Sequence, residues 1–352
     1  ENSKEICISE QGIEHQIDKQ KHSYDESEIK TMSKSNSFQE HLPPEDMNSL
    51  RQKLEIKLSE WRQSNRDITK ARELWRKYEN LTYDLANSLC EQLRLILEPT
   101  LATKLKGDYR TGKRLNMKKI IPYIASNFKK DKIWLRRTKL SKRQYQVMIA
   151  VDDSKSMSET HSIQLAYETL ALISKALSQL EVGDISIVSF GERVQLLHPF
   201  DQPFSSEAGA QVLHQFTFEQ NKTYVRSLME TSIELLEHAR GKYNGLSQRK
   251  ELWQLQLIIS DGVCEDHDIL RSLVRKATEA QIMVVFIIVD KKSEKDSIMS
   301  MNQVKYKSVD GRMTLNMERY LNTFPFEYYV VLRDINALPE ILADTLRQYF
   351  RR

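Results

Sequence analysis

Five apolar residues, Val147-Met148-Ile149-Ala150-Val151, run directly into Asp152-Asp153-Ser154-Lys155-Ser156-Met157-Ser158. No other stretch limits the possible folds of this chain so strongly. A continuous apolar run, without polar alternation, predicts a strand covered on both faces. Downstream, Ile163–Leu180 carries apolar residues at 163, 165, 166, 170, 172, 173, 177 and 180, which is helical spacing. Asp152, Ser154 and Ser156 therefore fall in a strand-to-helix turn. In an open parallel sheet such a turn lies at the carboxyl ends of the strands, where ligands bind.

One carboxylate and two hydroxyls at alternate positions suit a hard divalent cation. Mg²⁺ takes six oxygens in an octahedron and usually keeps some as water. Serine contributes oxygen without charge, so a cation held mainly by hydroxyls stays electrophilic. Two later stretches extend the pattern. Leu255-Gln256-Leu257-Ile258-Ile259-Ser260-Asp261-Gly262 is a second apolar run that ends in a carboxylate. Between the two runs, the polar loop Asn221-Lys222-Thr223-Tyr224 precedes a helical pattern from Val225 to Ala239.

Asp-x-Ser-x-Ser, a loop threonine and strand-Ser-Asp-Gly, in that order, resemble the metal-ion-dependent adhesion site of von Willebrand factor A domains. The resemblance covers about residues 145 to 350. It implies a metal shell of Asp152, Ser154, Ser156, Thr223 and Asp261 around Mg²⁺ (or Mn²⁺), with a partner's Asp or Glu as the sixth ligand. It also implies that Asp153, Lys155, Met157, Lys222, Tyr224 and Val263, which flank the shell, face the partner. The chain departs from many members of the family at Asn221 and Lys222, where a glycine usually precedes the threonine.

The predicted fold is α/β: a doubly wound, mostly parallel six-stranded sheet with helices on both faces, preceded by an α-helical segment. The strands are expected at 145–151, 184–190, 193–197 (an antiparallel edge), 253–260, 281–289 and 327–332. Helices are expected at 206–215, from 225 to near Gly241, at 266–280 and at 337–350. A connection from Asp290 to Phe324 joins the last two strands and exceeds the usual loop length. It reads as an insertion within an A domain spanning 144–352.

Ahead of that domain the charge is uneven. Residues 1–50 hold five basic and eleven acidic side chains, and residues 104–143 hold fifteen basic and two acidic, so the small overall charge of +4 conceals an acidic lead and a basic block. Residues 1–43 have too few large apolar side chains to offset chain entropy and read as the disordered end of an acidic linker. Residues 44–103 read as a helical segment broken near Ser64-Asn65-Arg66-Asp67, giving two helices packed as a collar on the domain that follows. The block at 104–143 reads as packing on or extending the A domain. It is expected to hold a helix from Leu115 to Phe128 and an edge strand at Lys132–Arg137. Such a block either contacts something anionic, RNA included, or forms a solvated face with local ion pairs.

Cys7, Cys90 and Cys264 are too few and too scattered for a disulfide framework. No run of roughly 18 apolar residues is present. The chain opens on Glu1 and is expected to be a fragment or a processed product.

These flanks narrow the family. Gly107–Asn116, Ile149–Met157 and Arg333-Asp334-Ile335-Asn336-Ala337-Leu338-Pro339 resemble the C-terminal part of the giant AAA ATPases of large ribosomal subunit assembly. That resemblance implies a nuclear protein-binding module (nucleolus and nucleoplasm). It would bind ubiquitin-like domains of WD-repeat assembly factors on pre-60S particles, which the ATPase ring of the same protein then removes. No Gly-rich phosphate loop ending in Lys-Ser/Thr occurs in the chain, so no ATPase activity is expected of this piece. Two other readings compete. One is RNA or pre-ribosome binding through residues 104–143. The other is a metal-dependent hydrolase, for which Asp153 and Glu265 are the nearby candidate bases. The five histidines at 161, 198, 214, 238 and 267 show no paired ligand spacing.

Overall fold

The computed structural model describes residues 44–64, 66–97, 105–137, 144–159, 162–180, 183–246, 252–264, 266–290, 297–309 and 312–350. The chain divides into two compact units, residues 1–50 and 51–352. The first is described only for 44–50, the opening turns of a helix; the segment 1–43, expected to be disordered, lies outside the described residues.

Three helices come first: α1 (Pro44–Gln63), α2 (Ile68–Leu81) and α3 (Tyr83–Leu97). A small layer follows, made of β1 (Leu105–Tyr109), β2 (Arg114–Leu115), α4 (Met117–Ala125) and β3 (Trp134–Arg137). The remaining elements are β4 (Gln144–Asp152), α5 (Lys155–Glu159), α6 (Ile163–Leu180), β5 (Gly183–Phe190), β6 (Gln195–His198), α7 (Ser206–Gln215), α8 (Val225–Leu246), β7 (Leu252–Ser260), α9 (His267–Glu279), β8 (Ile282–Val289), β9 (Asn302–Val309), β10 (Arg312–Arg319), β11 (Tyr328–Leu332) and α10 (Leu338–Phe350).

Six strands form one sheet in the order β11-β8-β7-β4-β5-β6. β6 runs antiparallel to β5, and the other neighbours pair in parallel. The doubly wound, mostly parallel sheet is thus present as the apolar runs predicted. β8 is buried along its whole length because helices cover both faces. On one face, Met148, Val188, Phe190, Phe286 and Ile288 pack with Leu228, Met229 and Ile233 of α8 and with Leu270 and Val274 of α9. On the other face α6 is buried on nearly every side, Gln164, Glu168 and Thr169 included. A helix buried all round must be covered from outside as well. Here α2 and α3 supply that cover, resting on α6, α7 and α10.

The collar is held by shape as much as by charge. A Cβ placed on Gly209 of α7 would sit 2.0 Å from Cε2 of Trp75, so glycine is what lets the indole of α2 lie against that helix. Tyr78 of α2 meets Tyr167 of α6 with ring centroids 5.9 Å apart. Arg72 grips Glu207 with two bonds of 2.7 and 2.6 Å, an exposed pair worth little by itself. The buried Glu168 pairs with Arg51 at 3.5 Å.

Four expectations change. The expected break before Ile68 exists, with Asp67 accepting from the Thr69 N–H at 3.1 Å. A further break falls at Thr82, which leaves helical geometry (φ −99°, ψ 5°) while its hydroxyl bonds the Tyr78 carbonyl, so 68–97 is two helices. The strand at Lys132–Arg137 is not an edge: β3 is the middle strand of the antiparallel sheet β1-β3-β2. α8 passes through Gly241 to Leu246, since an exposed glycine with open space around it lowers helix propensity without ending the helix. Finally, the Asp290–Phe324 connection carries structure of its own. β9 and β10 pair in unbroken antiparallel register from Asn302↔Arg319 to Val309↔Arg312.

Candidate metal centre

The parallel register brings two carboxylate-bearing strand ends together. β4 ends at Asp152, paired beside Phe190 of β5, and its other neighbour β7 ends at Ser260. The chain then turns at Asp153, whose N–H still bonds the Phe190 carbonyl at 2.8 Å. Asp152 is completely buried and its oxygens are both engaged: Oδ1 accepts the Ser154 N–H at 2.9 Å and Oδ2 accepts the Ser260 hydroxyl at 2.6 Å. The first bond fixes the turn into α5, which places Ser154 and Ser156 with hydroxyl oxygens 2.9 Å apart. Burial pushes the Asp152 carboxyl up to about 7, and the negative charge of Asp261 adds to the rise against the opposing bonds from Ser260 and Ser154.

Two further loops close around this turn. Gln220 forms a parallel bridge with Ser154, and its carbonyl accepts the Lys155 N–H at 2.7 Å. The Tyr224 N–H bonds the Gly191 carbonyl at 3.0 Å. Thr223 lies between these two anchors and is partly exposed. Asp261 follows directly on β7, is 7% exposed, and accepts the Val263 N–H at 3.3 Å.

Asp153 and Met157, expected to face a partner, point inward instead. Asp153 is 4% exposed, and both its oxygens are filled. It takes the Thr217 N–H (2.8 Å) and hydroxyl (2.9 Å), the Phe218 N–H (2.6 Å) and the Gln220 side-chain amide (2.9 Å). It clamps the threonine loop to the first turn, and so engaged it is not free to act as a general base. Met157 is fully buried because the first turn of α5 packs downward. Lys155, Lys222, Tyr224 and Val263 are exposed around the site, and Glu265 lies outside the described residues.

The residues present fit a hard cation. The donors are oxygens alone, from two carboxylates and three hydroxyls, and among the described residues no cluster of three or more His, Cys, Asp or Glu offers a softer site. The 2.9 Å between the two serine oxygens matches the edge of an octahedron with bonds of about 2.1 Å. Asp152, Ser154, Ser156, Thr223 and Asp261 would hold the ion.

Sequence reasoning missed three residues that build this geometry: Ser260, Gln220 and Tyr320. Ser260 stood in the quoted strand, yet only the parallel register reveals that its hydroxyl meets Asp152. Gln220 and Tyr320 carry no local signal at all. Among the histidines, His198 bonds the Gln202 carbonyl at 3.0 Å and His267 lies 3.2 Å from the Tyr320 hydroxyl; both are structural. Cys264 is buried, and burial pushes its thiol well up.

A mostly parallel sheet, with three oxygen-bearing loops converging at the carboxyl ends of β4 and β7, defines a von Willebrand factor type A domain. The family model of that domain matches residues 147–262. Beyond it, the chain is similar to midasin. It is 47% identical to midasin of Dictyostelium discoideum over 310 residues, 88% of this chain. It is 40% identical to midasin of Giardia intestinalis over 268 residues, 75% of this chain. The chain spans only 5% of the length of either relative. Among solved structures, proximal thread matrix protein 1 from the mussel byssus, with zinc in its own adhesion motif, is 14% identical with a TM-score of 0.37 over 59% of this chain and 46% of that one. An aerotolerance-related membrane protein from Bacteroides fragilis is 13% identical with a TM-score of 0.37, over 58% of this chain and 99% of that one.

Proposed function

We propose that this chain is a metal-ion-dependent protein-binding module. A Mg²⁺ (or Mn²⁺) ion held by Asp152, Ser154, Ser156, Thr223 and Asp261 accepts a partner's Asp or Glu. The observation that carries the reading is the pair of serine hydroxyls 2.9 Å apart beside the buried Asp152, at a turn rimmed by exposed Lys155, Lys222, Tyr224 and Val263. The ion supplies an electrophilic, under-neutralised centre. The two lysines attract an acidic partner surface, while Tyr224 and Val263 offer apolar contact. The similarity to midasin supports a more specific form. In it, the partners are ubiquitin-like domains of WD-repeat assembly factors on nuclear pre-60S particles, removed by the ATPase ring of the parent protein.

Chelation tests this reading. A purified ubiquitin-like domain of such a factor should be retained on the immobilised chain in Mg²⁺, released by EDTA, and recaptured when Mg²⁺ is restored. Retention that ignores the chelator would end the proposal.

A second reading concerns the basic block. Lys113, Arg114, Lys118, Lys129, Lys130 and Lys132 are exposed, as are Met117, Ile121, Ile124 and Phe128 beside them. Within the block Arg110 pairs with Asp131 at 3.1 Å. Six exposed cations near an exposed ring favour contact with RNA of the particle. Changing Lys118, Lys129, Lys130 and Lys132 to Glu should weaken particle association and flatten its salt dependence by about one per lost phosphate contact. Binding of the isolated ubiquitin-like domain should be unchanged. Equal particle retention by this variant would leave the block a solvated face.

A further inference from the structure

We propose that Tyr320 is a positioning residue for the metal centre: its phenol holds the Asp261 loop in place and ties it to the β9–β10 hairpin. The inference rests on the metal reading above and names what keeps its third loop in register.

The loop Asp261–Cys264 has little structure of its own. It leaves β7, turns through Gly262 at φ +87°, and reaches Cys264 without entering a helix. Asp261 takes its Val263 N–H and Ser260 its Gly262 N–H, and the bonds at Cys264 and the Gly262 carbonyl come from Tyr320. The Cys264 N–H donates to the Tyr320 oxygen at 2.8 Å. The Tyr320 hydroxyl reaches the Gly262 carbonyl at 3.1 Å and the Cys264 carbonyl at 3.3 Å, and its one proton serves one of them at a time. Ile298 supports the loop from beneath; a Cβ on Gly262 would stand 2.7 Å from its Cδ1, so only glycine follows this path.

Both supports belong to the ends of the hairpin. Ile298 precedes β9, Tyr320 follows β10, and the Tyr320 N–H bonds the Met301 carbonyl at 3.0 Å across its mouth. The phenol is 6% exposed, and its ring packs on His267 (centroids 5.1 Å apart) and Phe324 (6.1 Å). The ring is therefore held whether or not the hydroxyl is present. Any shift at the hairpin mouth moves the phenol, and the phenol moves the loop behind Asp261 and the exposed Val263. By linkage, what binds at either place alters the other.

Tyr320→Phe isolates the phenol. It keeps the ring contacts and removes the acceptor for the Cys264 N–H, the proton shared between the Gly262 and Cys264 carbonyls, and the 3.2 Å contact with His267 Nε2. The Mn²⁺ dissociation constant, read by titrating free Mn²⁺ in electron paramagnetic resonance, should rise about 10-fold or more, as for other groups that orient ligands from behind. Partner affinity should return towards the wild-type value when Mn²⁺ saturates the variant. Leu89→Ala, in α3 on the other face of the sheet, controls for lost stability and should leave the Mn²⁺ constant unchanged. A constant within twofold of wild type in Tyr320→Phe, or an equal rise in Leu89→Ala, overturns the role of Tyr320 while the metal reading stands. Failure of the wild-type chain to bind Mn²⁺ overturns both.

Discussion

Replacing Ser154 and Ser156 together by alanine should abolish Mg²⁺-dependent partner binding and leave the domain folded. The two hydroxyls meet 2.9 Å apart at a turn where Ser156 is partly exposed, so the change removes both partners of that bond at once. Removing both partners costs the fold far less than stranding one of them. The ion would lose two of its five protein ligands and with them its grip on the partner carboxylate. Truncating one side of such a desolvated, charged contact costs about 2–5 kcal/mol, or roughly 30- to several-thousand-fold in affinity. Asp152→Ala should bind as poorly. Its fold is protected differently: the change leaves the Ser260 hydroxyl and the Ser154 N–H unpaired, but it also removes a carboxylate buried beside Asp261. Calorimetric titration with a ubiquitin-like domain, alongside thermal unfolding, measures both quantities. Wild-type affinity in the double serine variant would remove these residues from the site.

Exchange of residues 293–318 for a short Gly-Ser linker should lower the melting temperature sharply, by about 10 °C. From the sequence the connection reads either as a mobile arm that meets another protein or as a tolerated surface loop, and on both readings such an exchange would leave the domain folded. The structure divides it. Ser297 and Ile298 are buried at 1% and 4% exposure, inside the exchanged span. The Ser297 hydroxyl bonds the buried Asp290 carboxylate, and Arg333 reaches the same hydroxyl at 2.7 Å and the carboxylate at 3.5 Å. Removing Ile298 vacates its place under Gly262, a loss of about 2–5 kcal/mol for a buried isoleucine. Removing Ser297 takes a neutral donor from a carboxylate that stays buried, which adds about 1–3 kcal/mol. A narrower exchange of 303–316, which spares these residues and the hairpin mouth, should leave the melting temperature within a few degrees of wild type. It then becomes the proper test of whether the hairpin couples the domain to the ATPase ring invoked in the proposed function, read as release of a bound partner. An unchanged melting temperature after the wider exchange would show that Ser297 and Ile298 contribute nothing to the core.

The chain by itself determined the sheet and the place of its candidate metal-binding edge. Runs such as Val147–Val151 and Ile282–Val289 have no polar alternation, and a strand of that kind is stable only between two layers. Once β4 is a buried parallel strand, Asp152, Ser154 and Ser156 must lie in the turn at its carboxyl end, because local order along the chain places them there. Asp310-Gly311 between two eight-residue stretches, with Val304 and Tyr306 on one side and Met313, Leu315 and Met317 on the other alternating with polar residues, was also a legible hairpin signal, passed over in reading 290–324 as one long connection. Only the tertiary structure decided which side chains face the site. Asp153 and Met157 are neighbours of the proposed metal-shell residues in sequence, yet one clamps Thr217, Phe218 and Gln220 and the other fills the core. The turn rotates each successive side chain in a different direction, and the packing partner that captures it comes from a distant part of the chain. The same holds for Ser260 on Asp152, Trp75 on Gly209 and Tyr320 on Cys264. Each is a contact between elements far apart in sequence, fixed by strand register and helix packing, for which no pattern of neighbouring residues could serve as a sign.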